Sequence, residues 1–134
     1  MLQITINSFS HKKGYPEDTS GNGGGFAFDC RGIYNPGRIE EYKKLSGLDK
    51  EVQDFLLTQT EMPKFLELTQ NMVSISIDNY LDRNFENIQI NFGCTGGQHR
   101  SVFGAEQMRD FLEKKYGNKI NIVVNHCNKD NWVK

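Results

Sequence analysis

The amino-acid sequence predicts an α/β fold: one three-layer domain in which helices flank a mixed, mainly parallel sheet of about four to five strands. Short apolar or alternating segments, typical of strands, occur at 2–7, 26–30, 88–92 and 120–124. Longer segments with apolar residues at helical spacing lie between the later ones. The length of 134 residues suits one domain that can bury a core, so we assign residues 1–134 to a single domain.

Composition narrows the class of protein. The chain is 37% hydrophobic and 25% charged, and its formal net charge of -1 removes the simple electrostatic argument for a nucleic-acid or membrane-surface protein, although local basic patches stay open. Its three cysteines form no C-x-x-C pair, so neither a disulfide framework nor an ordinary zinc module is predicted. No stretch resembles a signal peptide or reaches membrane-spanning length. We therefore expect a cytoplasmic protein with no membrane partner.

The first half of the chain predicts two strands joined by a long loop. Leu2–Asn7 alternates apolar and polar residues and reads as the first strand. Ser8–Gly25 is polar and rich in glycine, so it is either a plain surface connection or a loop that closes over a ligand. Phe26–Cys30 predicts a buried strand with Asp29 and Arg31 at its carboxyl end.

Helix signals follow. Asp49 can cap a helix that ends before Pro63, and Pro63 suits the first turn of a longer helix running to about Leu81. The apolar band of that longer helix is wide enough to need cover on more than one side. A last helix stops at Gly117, and we expect the tail 129–134 to be loose.

A glycine-rich turn joins the strand around Ile90 to the last helix. Gly93–Ser101 holds three glycines, whose backbone N–H groups can converge where the helix start adds unpaired donors and a positive dipole end. The first turn of the helix carries His99 and Arg100 instead of the usual acid. This pattern predicts an anion cradle, with Arg100 as bidentate partner, Thr95 and Ser101 as hydroxyl donors and phosphate as the anion. The alternative is a plain turn whose glycines serve packing alone.

The other strand ends extend the predicted site. Ligands of open α/β sheets lie outside the carboxyl ends of the strands, so Asp29, Arg31 and His126 are expected near the turn. The alternative for Asp29 and Arg31 is that they pair only with each other. None of the His or Cys residues shows the paired spacing of metal ligands, so no metal site and no cofactor are predicted.

Cys94 and Arg100-Ser101 also read C-x5-R-S, which resembles the loop of cysteine-dependent phosphatases. That resemblance implies a Cys94 thiolate that attacks phosphorus, and glycine amides, an arginine and a helix N-terminus would lower the pKa of such a thiol. Gly93 stands where those enzymes place histidine, and no aspartate acid loop is evident. Cys94 is therefore a nucleophile or a structural thiol.

A longer resemblance covers nearly the whole chain. The segment G-C-T-G-G-Q-H-R-S-V-F-G-A-E-Q, starting at Gly93, resembles the G-C-T-G-G-x-H-R-S-V-x-x-A-E-Q signature of the C-terminal domain of the RapZ RNase adapter family. Ser8–Gly14 is similar to its S-F-G-x-K-x-G, Phe28–Arg31 to its F-D-V-R, and Asn35-Pro36 to its N-P element. His126 stands at the first histidine of the family's terminal H-R segment.

The resemblance implies an α/β domain, distantly like a sugar-phosphate-binding subdomain of phosphofructokinase, with a pocket for a sugar phosphate such as glucosamine-6-phosphate. In the complete family this domain also binds small RNAs and follows an N-terminal P-loop nucleotide-binding domain. No G-x-x-x-x-G-K-[ST] occurs here, so nucleotide hydrolysis is not expected. The tail lacks the family's basic ending, which would contact RNA phosphates. RNA binding is therefore an alternative and not the main expectation.

These observations lead to three hypotheses. The first is a regulatory module that binds a phosphorylated small molecule and is not an enzyme; the alternatives are a cysteine-dependent phosphatase and an RNA-binding adapter. The expected partners are the phosphorylated ligand, RNA, an N-terminal nucleotide-binding or kinase-like domain in a longer chain, and further copies in an oligomer. The predicted ligand-binding residues are Cys94, Thr95, Gly96, Gly97, Gln98, His99, Arg100, Ser101, His11, Asp29, Arg31 and His126.

Overall fold

The structure, a computed structural model, describes residues 1–134 and confirms the α/β class. Its strands are β1 (Leu2–Ser10), β2 (Gly25–Asp29), β3 (Asn87–Cys94) and β4 (Ile120–His126), and its α-helices are α1 (Lys50–Gln59), α2 (Met62–Asp82) and α3 (Arg100–Tyr116). The sheet order is β2-β3-β1-β4. All three strand pairs are parallel, so the sheet is not mixed.

The strand register brings the carboxyl ends together at one edge of the sheet. Ser10 of β1 lies opposite Cys94 of β3, and Ser8 lies opposite His126 of β4. Asp29, the last residue of β2, lies opposite Gly93. The edge predicted to carry the site therefore gathers the ends of all four strands.

One face of the sheet carries the main core. Alternate residues of the strands, such as Ile4 and Ile90, are fully buried under α2 and α3 in a cluster of 15 buried residues. Val73 of α2 and Met108 of α3 belong to the same cluster, so both helices cover the same face. The alternation of the strand sequences selects this face, because successive side chains of a strand point to opposite sides.

The opposite face is polar. Asn125 donates through Nδ2 to Oδ1 of Asn7 at 3.1 Å, Asn7 donates in the same way to Asn91 at 2.9 Å, and Asn91 donates to Gln89 at 3.1 Å. A cavity of about 540 Å³ separates this face from loop residues 16–20. The layer on this side is therefore a loop instead of helices, because the amide face gives a helix nothing apolar to bury.

A second, smaller core positions the segment after β2. Val52 and Leu56 of α1 pack with Leu66 of α2 and Phe103 of α3, and Ile33 of the β2–α1 connection joins them. This cluster of 6 buried residues holds the connection against the first turn of α3. The helix start that was predicted to bind an anion therefore has a wall opposite it.

Helix boundaries follow the sequence signals, but one expectation about α2 is not met. Pro63 lies in the first turn of α2, and Gly117 ends α3 with a φ of 56°. Leu68, Met72 and Ile75 of α2 remain 60%, 52% and 73% exposed, so that part of its apolar band is not covered within this chain. None of the helices is both long and apolar enough to cross a membrane.

Candidate anion-binding site

The turn between β3 and α3 presents unpaired backbone donors. None of the backbone N–H groups from Thr95 through Val102 donates a hydrogen bond to another atom of the protein. The start of α3 has no side-chain cap and no acid in its first turn. A helix N-terminus with free donors and no acidic side chain attracts an anion through both hydrogen bonds and its dipole.

The glycines of the turn play different parts. Gly97 has a φ of +68°, and a Cβ there would lie 2.9 Å from the backbone nitrogen of Ser10, so only glycine fits against the end of β1. A Cβ on Gly93 would clash with the Phe9 ring. A Cβ on Gly96 would meet nothing within 4 Å. The packing interpretation thus holds for Gly93 and Gly97, whereas Gly96 faces open space.

Arg100 is buried, with 4% of its surface exposed, and only part of its guanidinium is satisfied. Nη1 donates to the carbonyl of Ile33 at 2.7 Å and of Arg31 at 3.2 Å, which ties the β2–α1 connection to α3. Nη2 reaches only Oγ1 of Thr95 at 3.4 Å, and the buried Nε has no partner. One side of the guanidinium is therefore structural, while Nε and Nη2 stay available for the bidentate contact that arginine makes with oxyanions.

Two clefts open on either side of Arg100, with volumes of about 390 Å³ and 300 Å³. They share Asn35, Thr95 and Arg100, and no acidic side chain lines either of them. Their other cations are Lys12, Arg31, Arg38 and Lys43. A concave surface with several cations and no carboxylate has a positive electrostatic potential, which favours an anionic ligand.

Among the lining residues that sequence reasoning did not select, four carry charged or amide side chains: Lys12, Asn35, Arg38 and Lys43. Lys12 and Asn35 do stand inside the short motifs that resemble the RapZ family, which was the available signal. Arg38 and Lys43 carry no local signal, because only the fold of the β2–α1 connection brings them to α3.

Gln98 and His99 hold the turn in place. Nε2 of Gln98 donates to the carbonyl of Leu45 at 2.8 Å, and Nε2 of His99 lies 2.9 Å from the carbonyl of Tyr42. Burial lowers the pKa of His99, so the ring is neutral and Nε2 carries the proton that it donates to Tyr42. Both residues line a cleft and also anchor the turn to the β2–α1 connection.

Asp29 and Arg31 form a forked ion pair at the end of β2. Arg31 donates through Nη2 to Oδ2 of Asp29 at 2.8 Å and through Nε to Oδ1 at 3.0 Å. The hydrogen bonds from Arg31 lower the pKa of Asp29 to about 2. Nε2 of His11 lies 3.4 Å from Oδ1 of Asp29 without a hydrogen bond. The pair predicted as an alternative is thus present, although Arg31 also lines the cleft beside Arg100.

His126 belongs to a separate network. Its Nδ1 lies 2.7 Å from Oγ of Ser8, and its Nε2 lies 2.8 Å from Oε2 of Glu106, which in turn pairs with Arg109 at 2.6 Å. Both ring nitrogens are therefore occupied, and His126 lines neither cleft. The structure connects it to the turn only through Trp132, whose ring centroid lies 6.0 Å from that of the imidazole. No group of three His, Cys, Asp or Glu side chains comes together in a way that could hold a metal ion.

Cys94 lies between the core and the smaller of the two clefts, which it helps to line. It is 2% exposed, belongs to the main core cluster, and its Sγ lies 3.0 Å from Oγ of Ser101. Ser101 is fully buried as well, so its hydroxyl serves the thiol. The nearby Cys30 is buried, and this burial raises the pKa of its thiol. The side chains of Cys94 and Ser101 are thus buried and paired with each other at the base of the turn, and only Cys94 also lines a cleft.

The tail is anchored on the turn, so the expectation that residues 129–134 are loose is wrong. Nε1 of Trp132 donates to the carbonyl of Gly97 at 2.8 Å, and the backbone nitrogen of Val133 donates to Oε1 of Gln98 at 2.9 Å. Oδ1 of Asn128 accepts from the backbone nitrogen of Ser10 at 2.7 Å. Tertiary hydrogen bonds supply an order that the polar sequence of the tail does not indicate.

Comparison with known proteins places this chain within a family. The family model described as the RapZ C-terminal domain matches residues 2–130. A nucleotide-binding protein of Clostridium botulinum, strain Hall, is 38% identical over 129 residues, which are 96% of this chain and 42% of that protein. A nucleotide-binding protein of Glaesserella parasuis serovar 5 is 36% identical over 133 residues, which are 99% of this chain and 44% of that protein.

The chain thus spans less than half the length of the curated relatives it matches. The family match runs through the β3–α3 turn and every strand of the sheet. The chain belongs to the RapZ C-terminal domain family.

Proposed function

We propose that this chain is a binding module for a phosphorylated small molecule, with a sugar phosphate such as glucosamine-6-phosphate as the first candidate. The observation that carries the proposal is the run of unpaired backbone N–H groups from Thr95 through Val102 beside the unpartnered Nε of Arg100. A phosphate has enough acceptor oxygens to use several of these donors at once. The flanking clefts leave room for the rest of the ligand.

The proposal also concerns the longer protein in which this module works. Its relatives are longer proteins named as nucleotide-binding, so we propose that it works as the sensing part of a regulatory protein that also carries a nucleotide-binding domain. Its three free cysteines suit the reducing cytoplasm.

Isothermal titration calorimetry tests the ligand class. Glucosamine-6-phosphate should bind and glucosamine, which lacks the phosphate, should not. Arg38→Gln and Lys12→Gln remove exposed cations that line the clefts and should each weaken binding by about three- to ten-fold, as expected for one charge-assisted contact.

Lys114→Gln is the matched control, because it removes the same charge near the opposite end of α3. Equal binding of glucosamine and its phosphate, or equal losses for Lys114→Gln and Arg38→Gln, would show that the turn is not the phosphate site.

RNA is a second candidate ligand, favoured by one observation. The two basic clefts meet at Arg100, so successive phosphates of a nucleic acid could contact both. Binding of structured RNA should then weaken steeply with salt and fall in Arg38→Gln. Retention that is the same at low and high salt would contradict this candidate.

Phosphate-ester hydrolysis is a weaker proposal, because it needs a nucleophile at the phosphate. Cys94 helps to line the smaller cleft, but it is only 2% exposed and its thiol is paired with Ser101. Hydrolysis of an aryl phosphate that disappears in Cys94→Ser would establish an enzyme nonetheless.

A further inference from the structure

The only tryptophan of the chain contacts the backbone of the anion turn. Trp132 donates its Nε1–H to the carbonyl of Gly97 at 2.8 Å, yet it lines neither cleft. We propose that Trp132 is a positioning residue that sets the direction of the Gly97–Gln98 peptide so that the N–H of Gln98 faces the bound anion. This inference rests on the proposed function, because it concerns the same site.

The geometry of the peptide group gives the physical reason. In a trans peptide the C=O and N–H bonds point in opposite directions, and the chain contains no cis peptide. Because Trp132 holds the carbonyl of Gly97, the N–H of Gln98 points away from Trp132, and it has no partner within the protein. A reversed peptide would present the carbonyl oxygen in place of the N–H and would repel an anion.

The Gly97–Gln98 peptide needs such a restraint. Gly97 follows Gly96, and glycine adopts a wide range of backbone angles at little energetic cost. The Cα of Gly97 is fixed against Ser10, where a Cβ would lie only 2.9 Å from the backbone nitrogen. Packing therefore locates the turn but does not set the direction of the peptide that follows Gly97.

The tail delivers Trp132 to this position through further contacts. Val133 and Gln98 exchange two hydrogen bonds: the Val133 nitrogen donates to Oε1 at 2.9 Å, and Nε2 donates to the Val133 carbonyl at 3.1 Å. Asn128 accepts from the Ser10 nitrogen at 2.7 Å. Both ends of the segment are thus tied to elements that frame the turn, so the indole approaches Gly97 from a fixed direction.

Trp132→Phe tests the proposal, because it keeps an aromatic ring and removes the Nε1–H donor. Inorganic phosphate is titrated by calorimetry and followed by the amide proton shift of Gln98 in NMR spectra. We expect phosphate affinity to fall by about three- to ten-fold, the equivalent of one hydrogen bond. The downfield shift of the Gln98 amide on phosphate binding should shrink. Tyr80→Phe is the control and should bind like wild type, because it also alters an aromatic side chain but Tyr80 lies in α2 and lines neither cleft.

NMR relaxation dispersion of the Gly97 and Gln98 amides measures directly whether the Gly97–Gln98 peptide is held in one direction. Trp132→Phe should show microsecond-to-millisecond exchange at these amides that wild type lacks, since a peptide that is no longer held samples both directions. If the variant keeps wild-type affinity, Gln98 shift and relaxation, the proposal is wrong. If wild type does not bind phosphate, the proposed function fails, and the dispersion result alone decides whether Trp132 positions the peptide.

A second variant covers the case in which Trp132→Phe does not fold. Val133→Pro removes the N–H that donates to Gln98, and Trp132 already has a φ of -66° and a ψ of 143°, which suit a residue before proline. Compared with Val133→Ala, it should weaken phosphate binding and raise exchange at Gln98. Equal behaviour of the two Val133 variants would overturn the proposal.

Discussion

Two polar clusters lie at the same edge of the sheet and differ in how their hydrogen-bonding groups are used. In the network of Ser8, His126 and Glu106, both ring nitrogens of the histidine have partners within 2.8 Å. In the turn before Arg100, the backbone N–H groups and Nε of Arg100 have none. Because buried polar groups are normally paired, the unpartnered Nε of Arg100 makes the turn the candidate for a ligand site.

The comparison shows why residue type alone does not define a site. Serine, histidine and glutamate are common catalytic residue types, but Ser8 is fully buried and His126 is paired with both Ser8 and Glu106. The network ties β1, β4 and α3 together, whereas the turn keeps its donors free. A satisfied cluster contributes to the stability of the fold, whereas an unsatisfied one is the candidate for binding a ligand.

The largest loss of stability is expected from Arg100, compared with Arg109, the arginine that pairs with Glu106 of the histidine network. Arg100→Met should lower the free energy of unfolding by about 3 kcal/mol, because it leaves the carbonyls of Arg31 and Ile33 without their donor. Arg109→Met should cost less than about 1 kcal/mol, because Arg109 is 35% exposed and makes a surface ion pair with Glu106. Urea denaturation measures both, and equal losses would break the distinction between the clusters.

His126→Leu should affect stability but not ligand binding. Removing the ring leaves Ser8 and Glu106 without their partner, which should cost about 2 kcal/mol of unfolding free energy. Phosphate affinity should stay within about two-fold of wild type, in contrast to Arg38→Gln, which should weaken binding without changing stability. A clear loss of affinity in a folded His126→Leu protein would instead place His126 in the ligand site, as the sequence predicts.

A smaller effect concerns the pH dependence of the turn. Burial lowers the pKa of His99 from 6.5 in the folded protein, so the unfolded chain takes up the proton first as the pH falls. The contribution of His99 to stability should be fully present above about 6.5 and decrease as the pH falls from there through the lowered pKa. Urea titrations between pH 8 and pH 5 should show a steeper decline for wild type than for His99→Gln; parallel declines would contradict a neutral, buried His99.

The smallest effect is expected at the exposed pair beside the turn. Arg31 lowers the pKa of Asp29 to about 2, so the stabilisation by the pair is fully present above the ordinary value of 3.8 and is lost as the pH falls through about 2. Since the Asp29 side chain is 49% exposed, Asp29→Asn should cost well under 1 kcal/mol at pH 6. The difference from wild type should vanish near pH 2, and a constant difference would mean that the pair does not titrate.

Local patterns predicted the elements and the turn. The alternation in β1 and β4, the proline at the start of α2 and the glycine after α3 each depend on neighbouring residues, and the structure has the expected element at each position. The sequence also has a helix start that lacks an acid, and this local pattern alone predicts an anion site.

Local sequence patterns did not predict contacts between residues that are distant in the chain. Trp132 meets Gly97, and Arg100 meets Ile33, across separations of 35 and 67 residues. The tail and the β2–α1 connection lack the long alternating or helical patterns of the main elements, so their sequences do not indicate where they fold. For the same reason Arg38 and Lys43 were missed as lining residues.

The sequence by itself determined the α/β class, the strand edge that carries the turn and the family resemblance, because each depends on local residue order. Only the tertiary structure decided which polar groups are satisfied. His126 and Cys94 are paired within the fold, and Arg100 is divided between a structural side and a free side. The physical reason is that hydrogen-bond satisfaction depends on partners that are distant in the chain, and only the folded chain brings them together.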